Sequence, residues 1–236
     1  MNSNRAQISI RDAALAWIGA WLVGNLAAGA VLAASGSDSV AEAGPGWLAA
    51  ISVAQWIPML AALWLLGSRF GVGQPAADYG LSFKPIDAIG LPIGVATQLG
   101  LVPLLYWPLE SIWPDAFSSD KIEERARELW DNASGSGVVV LIVVVVVGAP
   151  LVEELVYRGL LQGAVGRRLR QWNGWLALIL VAALFALVHF SPVEYPGLFL
   201  VGLVFGVCAL RTGRLGMGIL AHAAFNATGL ALVASS

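Results

Sequence analysis

The sequence predicts an all-α fold: a polytopic membrane helix bundle of seven to eight transmembrane helices with a polar site inside the bundle. Composition is the first observation behind this. Hydrophobic residues make up 58% of the chain and charged residues 12%, with a mean hydropathy of +0.77, whereas soluble domains carry about 25% charged residues. The second is patterning: apolar runs near the ~20 residues needed to cross a bilayer recur along the chain, separated by polar or Gly/Pro-rich stretches. The third concerns the site. Ionisable and amide side chains lie within these runs, where a charge costs about 3 kcal/mol on insertion scales and marks a functional position with a partner. The 236 residues read as a single integral membrane domain, 1–236, without an internal repeat.

The elements follow in order. A polar lead with Arg5 and Arg11 precedes a first span over 13–34. A cleaved signal peptide ending near Ala28-Gly29-Ala30 is the rival reading, but the run is longer than a signal core and is expected to be retained. The second span is 47–66, with a kink at Pro58, and the third is 86–107, interrupted by Pro92 and Pro103. Proline is tolerated in membrane helices where neighbours satisfy the freed carbonyls. The polar stretch 108–137 contains Asp120-Lys121-Ile122-Glu123, a capping-box pattern. It predicts a short surface helix with Ile122, Ala126 and Leu129 on one face. The fourth span starts at Val138, and 166–172 is a basic interfacial stretch. The fifth, sixth and seventh spans are 175–190, 196–210 and 216–233. Gly202 and Gly206 give the sixth a small-residue face suited to close helix contact.

Charge fixes the expected orientation. In a seven-span arrangement Arg5, Arg11, Arg69, Lys84, Arg167, Arg168, Arg170, Arg211 and Arg214 fall on one side. On the other, Lys121, Arg125 and Arg127 are diluted by acids. The positive-inside rule puts the N-terminus in the cytoplasm and the C-terminus outside. Trp47, Trp107, Trp172 and Trp175 stand at span ends as interfacial anchors. The Ala/Gly/Trp/Val-rich composition suits a bacterial cytoplasmic membrane. No basic tract supports a nucleic-acid partner. The single cysteine, Cys208, allows no intrachain disulfide and reads as a packing residue.

Three segments carry chemistry. In Glu153-Glu154-Leu-Val-Tyr-Arg158 the glutamate at 154 and the arginine at 158 share a helix face and form the natural ion pair, which leaves Glu153 available as a general base. His189 ends Phe185-Ala-Leu-Val-His189. Counted from the span ends, Glu153 and His189 lie roughly 15 Å and 21 Å deep, close enough to share a water. His222-Ala-Ala-Phe-Asn226 sets an imidazole and a carboxamide on one face, and two donors at that spacing can hold an anionic oxygen. Each segment alone has a bland reading: a buried ion network, a capped histidine, an interhelical hydrogen bond. Their convergence favours activation of water and stabilisation of a tetrahedral intermediate. No serine or cysteine has a base at motif spacing. The zinc motif His-Glu-x-x-His is absent. Glu153, His189 and His222 could ligate a divalent metal, although no cofactor is required by the sequence.

These three motifs resemble the CPBP family, the CAAX-processing type II proteases and their bacteriocin-processing or immunity relatives, also called Abi proteins. Its pattern is Glu-Glu-x-x-x-Arg, Phe-x-x-x-His and His-x-x-x-Asn, each on a membrane helix, and all positions are filled here over a catalytic core of 137–232. The resemblance implies a glutamate-dependent intramembrane endopeptidase, with or without a metal, acting on a peptide or protein in or at the bilayer. By analogy Glu153 and His189 activate water, His222 and Asn226 steady the oxyanion, and Glu154 and Arg158 hold the site's geometry. Two other classes are weighed beside it: a non-catalytic scaffold or immunity factor that binds a peptide in the same cavity, and a proton-coupled transporter relaying protons through Glu153 and His189. The lack of an inverted repeat argues against the last.

Overall fold

The computed structural model describes residues 6–169 and 174–236. Arg5, Arg170, Trp172 and the Asp120 side chain, and with it the expected capping pair to Glu123, lie outside what is described. Among the described residues the fold is all-helical. Eight main helices follow the chain: α1 (Ile10–Ser35), α2 (Gly44–Phe70), α3 (Pro85–Ile112), α4 (Ser119–Asp131), α5 (Ser136–Arg168), α6 (Trp175–Leu187), α7 (Tyr195–Thr212) and α8 (Gly216–Ser235). Six of them, all but α4 and α6, are long and apolar enough to cross a membrane. The expectation of seven to eight spans is met to that extent. The shortfall lies at α6, whose 13 residues rise roughly 20 Å against a ~30 Å hydrocarbon core. It stops at Leu187 because the chain turns through His189 and Phe190, the latter at φ 53°.

The bundle has two ends, defined by contacts between distant parts of the chain. At the first, the lead segment tucks under α5 and α2: Arg167 donates to the Ile8 carbonyl at 2.9 Å and Gln7 N–H to the Phe70 carbonyl at 3.1 Å. Asp87, fully buried at the start of α3, takes two hydrogen bonds from Arg214, of 2.9 and 2.6 Å, before α8 begins. Asp78 closes the loop after α2 by accepting from the backbone N–H groups of Val72 and Gln74. Burial, and then the charge of Asp78, push the neighbouring Tyr79 phenol above its usual range, so it remains a donor to the Leu63 carbonyl. At the second end, α4 is tied to the chain terminus by a 2.7 Å bond from Arg127 to Ser236, and Arg125 faces Glu194 at 4.0 Å.

Backbones approach closely where side chains are smallest. Gly90 and Gly94 of α3 lie directly on the carbonyls of Met217 and Ala221 in α8, leaving no room for a Cβ. Gly24 of α1 sits on Gln55 of α2, where a Cβ would stand 2.7 Å from the carbonyl oxygen. The small face expected on 196–210 is present: a Cβ at Gly202 would meet Ala182 of α6 at 3.1 Å, and one at Gly206 would meet the Gln162 side chain at 2.8 Å. The main apolar core lies where α5 crosses α6, α7 and α8, around the fully buried Phe185 and Phe205.

Candidate active site

The site is built around α5, which is wound as π-helix over 143–148 and 154–162. Such wider turns are found mostly at functional positions. The second begins at Glu154 and turns Glu154, Tyr157 and Arg158 wholly inward, while Glu153 keeps about a quarter of its side chain exposed. The Glu154–Arg158 pair forms as the spacing predicts, at 2.9 Å with both side chains out of solvent. Arg158 also donates to the Gly202 carbonyl at 3.1 Å. One turn on, Gln162 donates to the Gly206 carbonyl at 3.0 Å. The guanidinium lies among three aromatic rings, 4.7 Å from the Phe185 centroid, 5.7 Å from Phe205 and 6.0 Å from Tyr157. Ring faces attract a desolvated cation, which is how this arginine is held deep within an apolar core.

His222 bridges the two glutamates. Its Nδ1 is 3.2 Å from Glu154 Oε1 and its Nε2 is 3.8 Å from Glu153 Oε2. The Phe205 ring stacks on it with centroids 4.6 Å apart. Because the Glu154 carboxylate accepts, Nδ1 carries the proton and Nε2 is the nitrogen turned to Glu153. At 3.8 Å this second contact is longer than a hydrogen bond, so Glu153 is not locked in place. His189 is fixed in a parallel way: its Nδ1 lies 2.6 Å from the Phe185 carbonyl. A carbonyl can only accept, so Nδ1 donates and Nε2 keeps its lone pair. The next residue, Phe190, takes a left-handed backbone conformation that costs a non-glycine residue about 1–2 kcal/mol. Strain of this kind collects at functional sites.

Glu153, His189 and Asn226 line one cavity of about 390 Å³. It runs from Glu153 to the underside of α4, where Ile122, Ala126 and Leu129, the face read from the sequence, form part of its wall. His222 is buried behind Glu153. Asn226 donates to the Val145 carbonyl at 2.8 Å, within the first π-helical stretch. One of its two amide hydrogens is therefore committed to α5, and His222 and Asn226 do not converge on a shared acceptor. Among the described residues no three His, Cys, Asp or Glu side chains come close enough together to hold a metal ion. Glu154 holds His222 and a backbone carbonyl holds His189, each through Nδ1, which leaves both Nε2 atoms as lone-pair donors.

Some contributors carry no motif. Tyr106 of α3 donates to the Val193 carbonyl at 2.7 Å and accepts from the Gly197 N–H at 3.1 Å, pinning the segment that follows His189. Gln55 and Gln98 also face the cavity. The signal that would have found the glutamines is the one that found Glu153: a polar side chain inside an apolar span.

Comparison with known proteins bears on the same segment of the chain. Residues 135–228 match the family model described as type II CAAX prenyl endopeptidase, Rce1-like, a stretch that holds all three motifs. An Escherichia coli protein described as an uncharacterized 24.3 kDa protein is 30% identical over 111 residues, which cover 46% of this chain and 51% of that protein. The chain thus spans about half the length of the curated relative it matches. No solved structure matches. The segment from α5 to α8, with its paired glutamates, its two histidines and its asparagine, is thus similar to the Rce1-like type II CAAX prenyl endopeptidases.

Proposed function

We propose that this protein is an intramembrane endopeptidase that hydrolyses a peptide bond of a membrane-associated peptide or protein with water activated by Glu153 and His189. The observation that carries the reading is the split between the two glutamates. Glu154 is buried and paired, and Glu153, one residue earlier, opens into a cavity shared with His189. Glu153 takes a proton from water as the oxygen attacks the scissile carbonyl carbon, and His189, acceptor at Nε2, orients that water. The second amide hydrogen of Asn226 steadies the oxyanion, and His222, held by Glu154, backs the Glu153 carboxylate. The carbon–nitrogen bond then breaks, with the proton held by Glu153 passing to the leaving amine. Glu154 and Arg158 act through His222, fixing its ring and tautomer. No step is routed through a metal. The protein works in a bacterial cytoplasmic membrane, with its N-terminus in the cytoplasm.

The test compares cells expressing the wild type with cells expressing Glu153→Gln at matched membrane levels, by sequencing the new protein N-termini in each. Fragments present only with the wild type are the expected result and map the cut site. Identical N-termini, in cells that retain peptide binding to the cavity, would move the protein to the scaffold class. Loss of pH-coupled flux without any change in fragments would make it a transporter.

A further inference from the structure

The cavity carries two carboxamides for which the proposed chemistry has no use. Gln55 stands on α2 and Gln98 on α3, both half-buried, and both line the cavity that holds Glu153 and His189. Neither side chain has a hydrogen-bond partner among the described residues, although other polar groups on these helices do: Ser68 and Thr97 bond to carbonyls of their own helix. A polar group on a membrane helix is costly to leave unanswered. These two sit on different walls. Next to Gln55, the Trp56 ring presses on Gly148 of α5, and Gln98 lies against Gly229 of α8, where a Cβ would be 3.7 Å from its Nε2. Ser52, one helical turn from Gln55, faces the same space.

We propose that Gln55 and Gln98 hold the main chain of an extended substrate segment across this cavity, as a pair of positioning residues that present the scissile bond to Glu153. The proposal rests on the endopeptidase reading. A carboxamide offers two donors and an acceptor, the complement of one peptide unit. It matches every residue equally, since it touches no side chain. A segment unwound for cleavage exposes N–H and C=O groups that must be satisfied within the protein where they leave bulk water. An intact helix has its backbone bonds satisfied internally and gains nothing from the two amides. The substrate class that follows is therefore a strand-like segment, one that carries helix-breaking residues or lies beyond the end of a helix.

The experiment uses the full chain in detergent micelles and a fluorogenic decapeptide reproducing the cut site mapped by the Glu153→Gln comparison. Gln55→Met and Gln98→Met preserve side-chain length and remove the hydrogen-bonding groups. Each is expected to raise KM about three- to tenfold, the worth of one net hydrogen bond, with kcat unchanged and melting temperature preserved. Substrates with single backbone N-methyl groups give the same answer on the unaltered protein: one or two positions should lose about tenfold in kcat/KM. That loss should shrink when the corresponding glutamine is already methionine, which is the non-additivity of a direct contact. A flat N-methyl profile, or variants with unchanged KM, would overturn the proposal while leaving cleavage intact. Variants that lose kcat alone would overturn it too. If Glu153→Gln cleaves the peptide as the wild type does, the endopeptidase reading itself fails and this inference falls with it.

Discussion

At the scale of single residues, the site depends on the order in which the two adjacent glutamates meet solvent. Glu154 and Arg158 neutralise each other inside the core, yet Glu154 Oε2 and Arg158 Nε have no hydrogen-bond partner among the described residues. Replacing a well-packed buried pair by apolar residues is often neutral, but removing one partner strands the other and costs about 3–5 kcal/mol. We therefore expect Glu154→Gln and Arg158→Met each to lower the thermal stability of the protein in micelles by an amount in that range. The double substitution should recover much of the loss and still be impaired in cleavage, because His222 no longer has a carboxylate at Nδ1. Additive losses in the double variant would show that the pair is not coupled. This pairing was legible in the sequence from the i, i+4 spacing alone. The bridging position of His222 was not, because its link to Glu154 spans 68 residues and depends on how α8 packs on α5. The spacing of His222 and Asn226 suggested two donors at one point. The structure sends the asparagine to Val145 instead, a carbonyl within a π-helical stretch that no periodicity argument anticipates.

At the scale of helices, most boundaries followed from apolar run length, and the sixth span's Gly202 and Gly206 announced its close contact with α6. Glycines outside such a pattern are harder to read. Gly90 and Gly94 flank Pro92 in the sequence, and in three dimensions they are where α3 lies on the backbone of α8. That contact holds Gln98 and Tyr106 at the cavity. A methyl group at Gly94 would run into the Ala221 carbonyl and the Phe225 N–H, while one at Gly100, on the same helix, meets nothing within 4 Å. Overpacking of this kind costs about 1–3 kcal/mol. Gly94→Ala is expected to destabilise the protein by that amount and to reduce cleavage, and Gly100→Ala to do neither, as read by thermal unfolding and peptide hydrolysis in parallel. Equal effects at the two positions would mean that α3 does not rely on this approach.

At the scale of the whole molecule, the two ends of the bundle bear on how many times the chain crosses the membrane. Arg11, Arg69, Lys84, Arg167, Arg168, Arg211 and Arg214 lie in or beside the segments joined by the Asp87–Arg214 and Arg167–Ile8 contacts. The α4 helix, Glu194 and Ser236 are gathered at the other end. The chain between Arg168 and Glu194 must therefore travel from one end to the other, and among its described residues the helix that does so, α6, has 13 residues. A shortened crossing is tolerable where a helix is enclosed by protein, since bilayer thickness constrains only surfaces facing lipid. Much of α6 is enclosed, with six of its residues buried, Phe185 and Ala186 among them. We propose that α6 is counted among the crossings, which makes them seven, puts the termini on opposite faces, and assigns the arginine-rich end to the cytoplasm by the positive-inside rule. Single cysteines test this, because the native Cys208 is buried. On intact cells a membrane-impermeant maleimide should label Asp38→Cys and Ser235→Cys. It should spare Gln74→Cys and Arg168→Cys until the membrane is opened. Labelling of Asp38→Cys without Ser235→Cys would reduce the crossings to an even number. It would also place the cavity mouth beneath α4 on a different face from the one the charges assign.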